Sequence, residues 1–147
     1  MNLETKRNAL LMNSIASGQI PNLLENVNLT YGRYINDNGG LSTSTVAVYV
    51  TDFIDIENIT DLIFTSYSAT QYSLRNTAFF YDENQQPMGS LIRLDYDDAG
   101  TMGGGYIYNT NAKYVRICFY LRTAPSLDVG LYDVSNKLGE PITTTPQ

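Results

Sequence analysis

Apolar and polar residues alternate along most of this chain with the two-residue period of a β-strand. The longest run is Ala112-Lys-Tyr-Val-Arg-Ile-Cys-Phe-Tyr-Leu-Arg122. Val115, Ile117, Phe119 and Leu121 fall on one face. Tyr114, Arg116, Cys118, Tyr120 and Arg122 fall on the other. Other alternating or β-branched stretches cover 29–35, 46–56, 61–67, 77–81, 91–96, 106–108 and 129–134. The phase slips near Thr51-Asp52, which predicts a bulge or sharp bend there. Asn36-Asp-Asn-Gly-Gly40 and Asp82-Glu-Asn-Gln-Gln-Pro87 supply turn chemistry between strands. The segment 97–105 carries four of the chain's glycines and reads as a loop.

One stretch breaks the pattern. Over residues 3–17, Leu3, Leu10, Leu11 and Ile15 share a helical face, and Gly18 with Pro21 ends it. A helix this short is marginal alone in water, so its face must dock on something. It could pack on its own domain, on copies of itself, or on a larger scaffold. The reading is an all-β chain: an antiparallel β-sandwich over 21–135, a short N-terminal α-helix over 1–20, and a loose Thr- and Pro-rich tail over 136–147.

Composition narrows the chemistry. The chain has 147 residues, one domain by length. Charged residues are 16%, below the usual quarter or so, and the net charge is −6. An acidic surface repels phosphate backbones and anionic bilayers, so neither nucleic acid nor membrane is expected as a partner. There is no His and a single cysteine, Cys118. These remove the usual proton-transfer residue, zinc clusters and internal disulfides, so no cofactor and no catalysis are expected. Asp95-Tyr-Asp-Asp-Ala-Gly100 resembles a calcium loop, but Tyr106 stands where the bidentate Glu is required, so a solvated acidic turn is preferred.

Phe80-Tyr-Asp-Glu-Asn-Gln-Gln86 is followed about thirty residues later by Ala112-Lys-Tyr-Val-Arg-Ile117. Gly32-Arg-Tyr-Ile-Asn36 lies upstream, and Tyr49-Val-Thr-Asp-Phe-Ile-Asp-Ile56 lies between. Together these resemble the jelly-roll, carbohydrate-binding-module-like domains of bacteriophage tail, baseplate and receptor-binding proteins. The resemblance spans roughly residues 28–134. It implies a jelly roll on a virion, made in the host cytoplasm and released by lysis. It also implies a homo-oligomer, commonly a trimer, that attaches to a host-surface glycan. The N-terminal helix would join it to its own copies or to other virion proteins.

Sugar recognition needs flat aromatic faces for CH groups and forked donors or acceptors for hydroxyls. Tyr114, Arg116, Tyr120 and Arg122 supply these on one strand. Tyr106, Tyr108 and Asn109 add to them from the neighbouring segment, and Tyr34 from the first strand. The alternative function is a structural decoration or fibre protein that makes only protein contacts.

Overall fold

The computed structural model describes residues 20–45, 47–66, 76–94, 103–120 and 129–135. The helix expected over 3–17 and the tail expected over 136–147 lie outside these residues, as does the acidic turn at 95–100. The described chain is all-β, and its sheets are antiparallel.

Eleven strands occur among the described residues: β1 (Leu29–Tyr31), β2 (Arg33–Ile35), β3 (Leu41–Thr43), β4 (Val48–Thr51), β5 (Ile54–Asp55), β6 (Asp61–Ser66), β7 (Thr77–Tyr81), β8 (Pro87–Arg93), β9 (Gly103–Tyr108), β10 (Tyr114–Tyr120) and β11 (Val129–Asp133). The larger sheet runs β1-β4-β10-β7-β8, with β5 also paired to β10. A second sheet runs β11-β6-β9, and β2 pairs only with β3. The two larger sheets share one apolar core. Ala78, Val115, Ile117 and Phe119 from one meet Leu62, Phe64, Ile107 and Leu131 from the other. Each of the Val, Ile, Leu and Phe side chains among them, taken fully out of water, contributes roughly 1.5–3 kcal/mol.

The phase slip near Thr51-Asp52 is a bulge. Val50 stands opposite Cys118 and Ile54 opposite Val115. Three residues, Thr51, Asp52 and Phe53, lie between these anchors on one strand, against two, Arg116 and Ile117, on the other. The extra residue flips the pleat. Val48 and Val50 therefore join a cluster on the outward face of the sheet, while Ile54 and Ile56 join the shared core. Thr51 mends the interrupted ladder. Its hydroxyl accepts the Ile117 N–H at 3.0 Å, and its carbonyl accepts Arg116 Nε at 3.1 Å.

The outward face of the larger sheet carries a second core: Ile35, Val48, Val50, Phe79, Tyr81 and Cys118. The β2–β3 hairpin lies over it. Tyr81 donates its hydroxyl to the Gly39 carbonyl at 2.6 Å and so pins the hairpin tip to β7. Gly39 has φ +84°, and a Cβ there would sit 2.7 Å from Pro87 and 2.9 Å from Phe79. Only glycine meets both demands.

Several boundaries differ from the sequence expectation: β8, for one, starts at Pro87, inside the expected turn, rather than at Leu91, and β3 is a strand the pattern did not name. The stretch 29–35 is two strands, because the chain turns at Gly32 with φ +81°. The glycine run at 103–105 is strand, not loop. Gly105 permits this: a Cβ there would lie 2.6 Å from Leu94 Cδ2, so the missing side chain is the space that Leu94 fills.

Candidate functional site

On β9, Ile107 points into the shared core, so Tyr106 and Tyr108 point outward by the strand period. They are 53% and 58% exposed, well beyond what apolar packing would leave. Two positions along a strand span roughly 6.6 Å, the scale of one sugar ring. Ile63 is the cross-strand partner of Tyr106, and Asp61 is that of Tyr108. Tyr132 pairs with Ile63 from the far side. The outward face of the small sheet is thus a tyrosine platform with one carboxylate set into it.

Asp61 is held from several directions. Its backbone N–H donates to Ser135 Oγ at 3.2 Å, and its carbonyl accepts the Val134 N–H at 2.9 Å. Its carboxylate accepts the hydroxyl of Thr60 at 2.7 Å and the hydroxyl of Tyr106. The bond to Asp61 pushes the Tyr106 phenol up to about 12, because ionising it would place two negative oxygens together. The ring stays a neutral phenol at every physiological pH.

Asn109 is 4% exposed and follows the platform into the turn before β10. Its amide nitrogen donates to the carbonyls of Ile59 at 2.9 Å and Ala112 at 3.2 Å, and its oxygen accepts the Ala112 N–H at 2.8 Å. The side chain staples the 56–60 and 109–113 loops together. It faces the protein's own backbone.

These loops line a cleft of about 760 Å³ at the same end of the molecule, with the β7–β8 turn as its third wall. Thr60 belongs to both the cleft and the platform. Lys113 bridges Asp55 at 2.8 Å and Glu57 at 2.7 Å on the rim. Its hydrogen bond holds the Asp55 carboxyl below the ordinary range.

Tyr114 and Arg116 sit elsewhere, on the outward face of the larger sheet. The bulge swings Phe53 over them. The Phe53 ring stands edge-on to Tyr81 at 5.0 Å and to Tyr114 at 5.8 Å, and the Arg116 guanidinium lies 4.2 Å from its centre. Both residues are half-buried. Tyr34 also flanks this second core, beside a groove of about 370 Å³ that includes Asp37, Arg93 and Cys118. Burial pushes the Cys118 thiol up to about 11, so it is inert packing. The side chain of Tyr120 and all of Arg122 lie outside the described residues.

The eight residues picked from sequence therefore do not form one row. Tyr106 and Tyr108 share the outward face of one sheet, with Asn109 anchoring the turn beside them. Tyr114 and Arg116 belong to the larger sheet, across the shared core, and Tyr34 to the β2–β3 hairpin beside that sheet's outward face. Sequence reasoning passed over Asp61 and Thr60. Asp61 stands on the polar phase of Asp61-Leu-Ile-Phe64, which marks it as outward-facing, but only strand pairing puts it beside tyrosine. Among the described residues no group of three or more His, Cys, Asp or Glu could hold a metal ion.

Comparison with protein-family models, with curated proteins and with solved structures finds no match to this chain.

Proposed function

We infer that this chain is a non-catalytic carbohydrate-recognition protein, a β-sandwich of jelly-roll type carried on a phage particle. Its Tyr106–Tyr108 platform receives a sugar of a host-surface glycan. The observation that carries this reading is the exposed tyrosine pair on β9 with the Asp61 carboxylate between β6 and β9. A phenol ring stacks on the CH-rich face of a pyranose, while a fixed carboxylate oxygen accepts its hydroxyls. The platform is preorganised, because Asp61 is already tied to Thr60, Tyr106, Val134 and Ser135. The neighbouring of sequence-distant strands in β1-β4-β10-β7-β8 suits the Greek-key connections of a jelly roll. The virion setting rests on the motif resemblance at 32–36, 49–56, 80–86 and 112–117. A single shallow platform binds weakly, so an oligomer would gain by effective concentration.

A structural virion protein is the second reading. Ile63 and Tyr132 pack beside Ile20 and Val134 next to the platform, which extends the apolar character of that face toward a protein contact.

The test is retention of the intact protein on host cell-wall polysaccharide, compared with Tyr106→Ala/Tyr108→Ala. Retention that falls about tenfold or more in the double variant is expected. No retention of the wild type on any glycan, with assembly onto virion partners lost in the double variant, makes the platform a protein interface instead.

A further inference from the structure

We propose that the glycan is an uncharged chain of several sugar units, which runs off the Tyr106–Tyr108 platform into the cleft between the 57–60, 82–83 and 110–113 segments. This rests on the carbohydrate reading of the platform and adds the length and charge of its ligand.

The two features are continuous. Tyr108 ends β9, and Thr110 and Asn111, two and three residues on, line the cleft. From the partner strand, Thr60 lines the cleft while its hydroxyl binds the platform's Asp61 at 2.7 Å. A ligand that leaves Tyr108 along β9, or Asp61 along β6, therefore reaches cleft-lining residues within three positions. The volume, about 760 Å³, lies in the upper part of the range of roughly 300–1,000 Å³ typical of small-molecule sites. That is more than one sugar ring fills.

The walls are fixed before any ligand arrives. Asn109 ties two of the three loops together through its buried amide. Asp82 Oδ1 accepts the N–H groups of Asn84 at 2.8 Å and Gln86 at 3.0 Å, which sets the third. Rigid loops give up little entropy on binding.

The lining suits hydroxyl groups. Asn58, Thr60, Thr110 and Asn111 offer amides and hydroxyls around an apolar floor of Ile59, Met88 and Ala112. Glu57, Asp82 and Glu83 add carboxylates, against one ammonium, Lys113, which Asp55 and Glu57 already share. The local field is negative. Carboxylates accept hydrogen bonds from sugar hydroxyls, but they repel a uronate or a phosphate-bearing chain.

The experiment is titration of the full-length protein with glucose, N-acetylglucosamine and galactose oligomers, from monosaccharide to hexasaccharide, and with galacturonate oligomers of matching length. Affinity for the neutral series that binds should climb with chain length, by about tenfold or more overall, and then level off. Galacturonates should bind at least about tenfold more weakly, with the gap narrowing as salt is raised. Thr110→Ala/Asn111→Ala, both at exposed positions, should flatten the length dependence and leave the shortest ligand's affinity unchanged. Asn58→Gly, which keeps the left-handed backbone at φ 68°, provides a second cleft variant. Affinity independent of length or unmoved by the cleft variants, while Tyr106→Ala/Tyr108→Ala still abolishes binding, overturns the chain proposal and leaves the platform reading intact. Equal binding of galacturonates overturns the charge argument. Binding of no oligomer by the wild type overturns the chain proposal together with the platform reading.

Discussion

The guanidinium of Arg116 lies 4.2 Å over the ring of Phe53. It reaches that position because the bulge at 51–53 turns Phe53 onto the outward face of the larger sheet. The same guanidinium donates from Nε to the Thr51 carbonyl, at the bulge itself. Arg116 thus bonds the distortion that brings its aromatic partner into place.

This makes Arg116 a residue of stability. Arg116→Ala should cost about 1–2 kcal/mol, from the lost cation–π contact and hydrogen bond, and lower Tm by roughly 2–4 °C for each kcal/mol. Phe53→Ala and Arg116→Ala should be coupled by about 0.5–1.5 kcal/mol in a double-mutant cycle read by urea unfolding. Additive effects would separate the two side chains, and a large loss of glycan affinity in a folded Arg116→Ala protein would move the binding site to this sheet.

Asn109 tests the staple. Asn109→Ala leaves the carbonyls of Ile59 and Ala112 and the N–H of Ala112 without their side-chain partner in a buried turn. A loss of about 2–3 kcal/mol is expected from thermal or denaturant unfolding. Asn109→Asp keeps the acceptor but not the donors, and should recover only part of it.

Gly105 tests the close approach of β9 to Leu94. Gly105→Ala puts a methyl 2.6 Å from Leu94 Cδ2 and 3.1 Å from its Cα, so the leucine must move and the backbone must follow. A cost of about 1–3 kcal/mol is expected. Leu94→Ala is destabilising alone, through a cavity, but combined with Gly105→Ala it should cost less than the sum of the two.

Tyr106 predicts a pH profile. Its phenol is raised from 10.0 to about 12 by the hydrogen bond to Asp61. A raised folded-state value means the neutral form is favoured by folding. Its contribution is therefore complete below the unfolded value of 10.0 and is lost as pH rises through about 12. Burial also raises the Tyr81 phenol, so phenolate absorbance should show more than one late-titrating tyrosine, of which Asp61→Asn returns only Tyr106 toward the ordinary range. Glycan affinity should stay level up to about pH 10. An unchanged titration in Asp61→Asn would remove the bond from the account.

Much of this architecture is written in local pattern. The period of two separates Val115, Ile117 and Phe119 from Tyr114, Arg116 and Cys118 without any coordinates. Thr51-Asp52 betrays the bulge, because a side-chain period of two cannot skip a beat without an extra residue. Asn36–Gly40 and Asp82–Gln86 carry the chemistry of their own turns. A period, however, assigns only parity. It puts Tyr106 and Tyr114 on polar phases of their strands and is silent on what lies above each. That depends on contacts between distant residues, such as the Tyr81 hydroxyl on the Gly39 carbonyl 42 positions away, which lays a hairpin over one sheet's outward face. Tyr114 and Arg116 lie half-buried on that same face, packed against Phe53. Tyr106 and Tyr108, on the small sheet, keep their rings in solvent, and strand pairing alone sets Asp61 beside them.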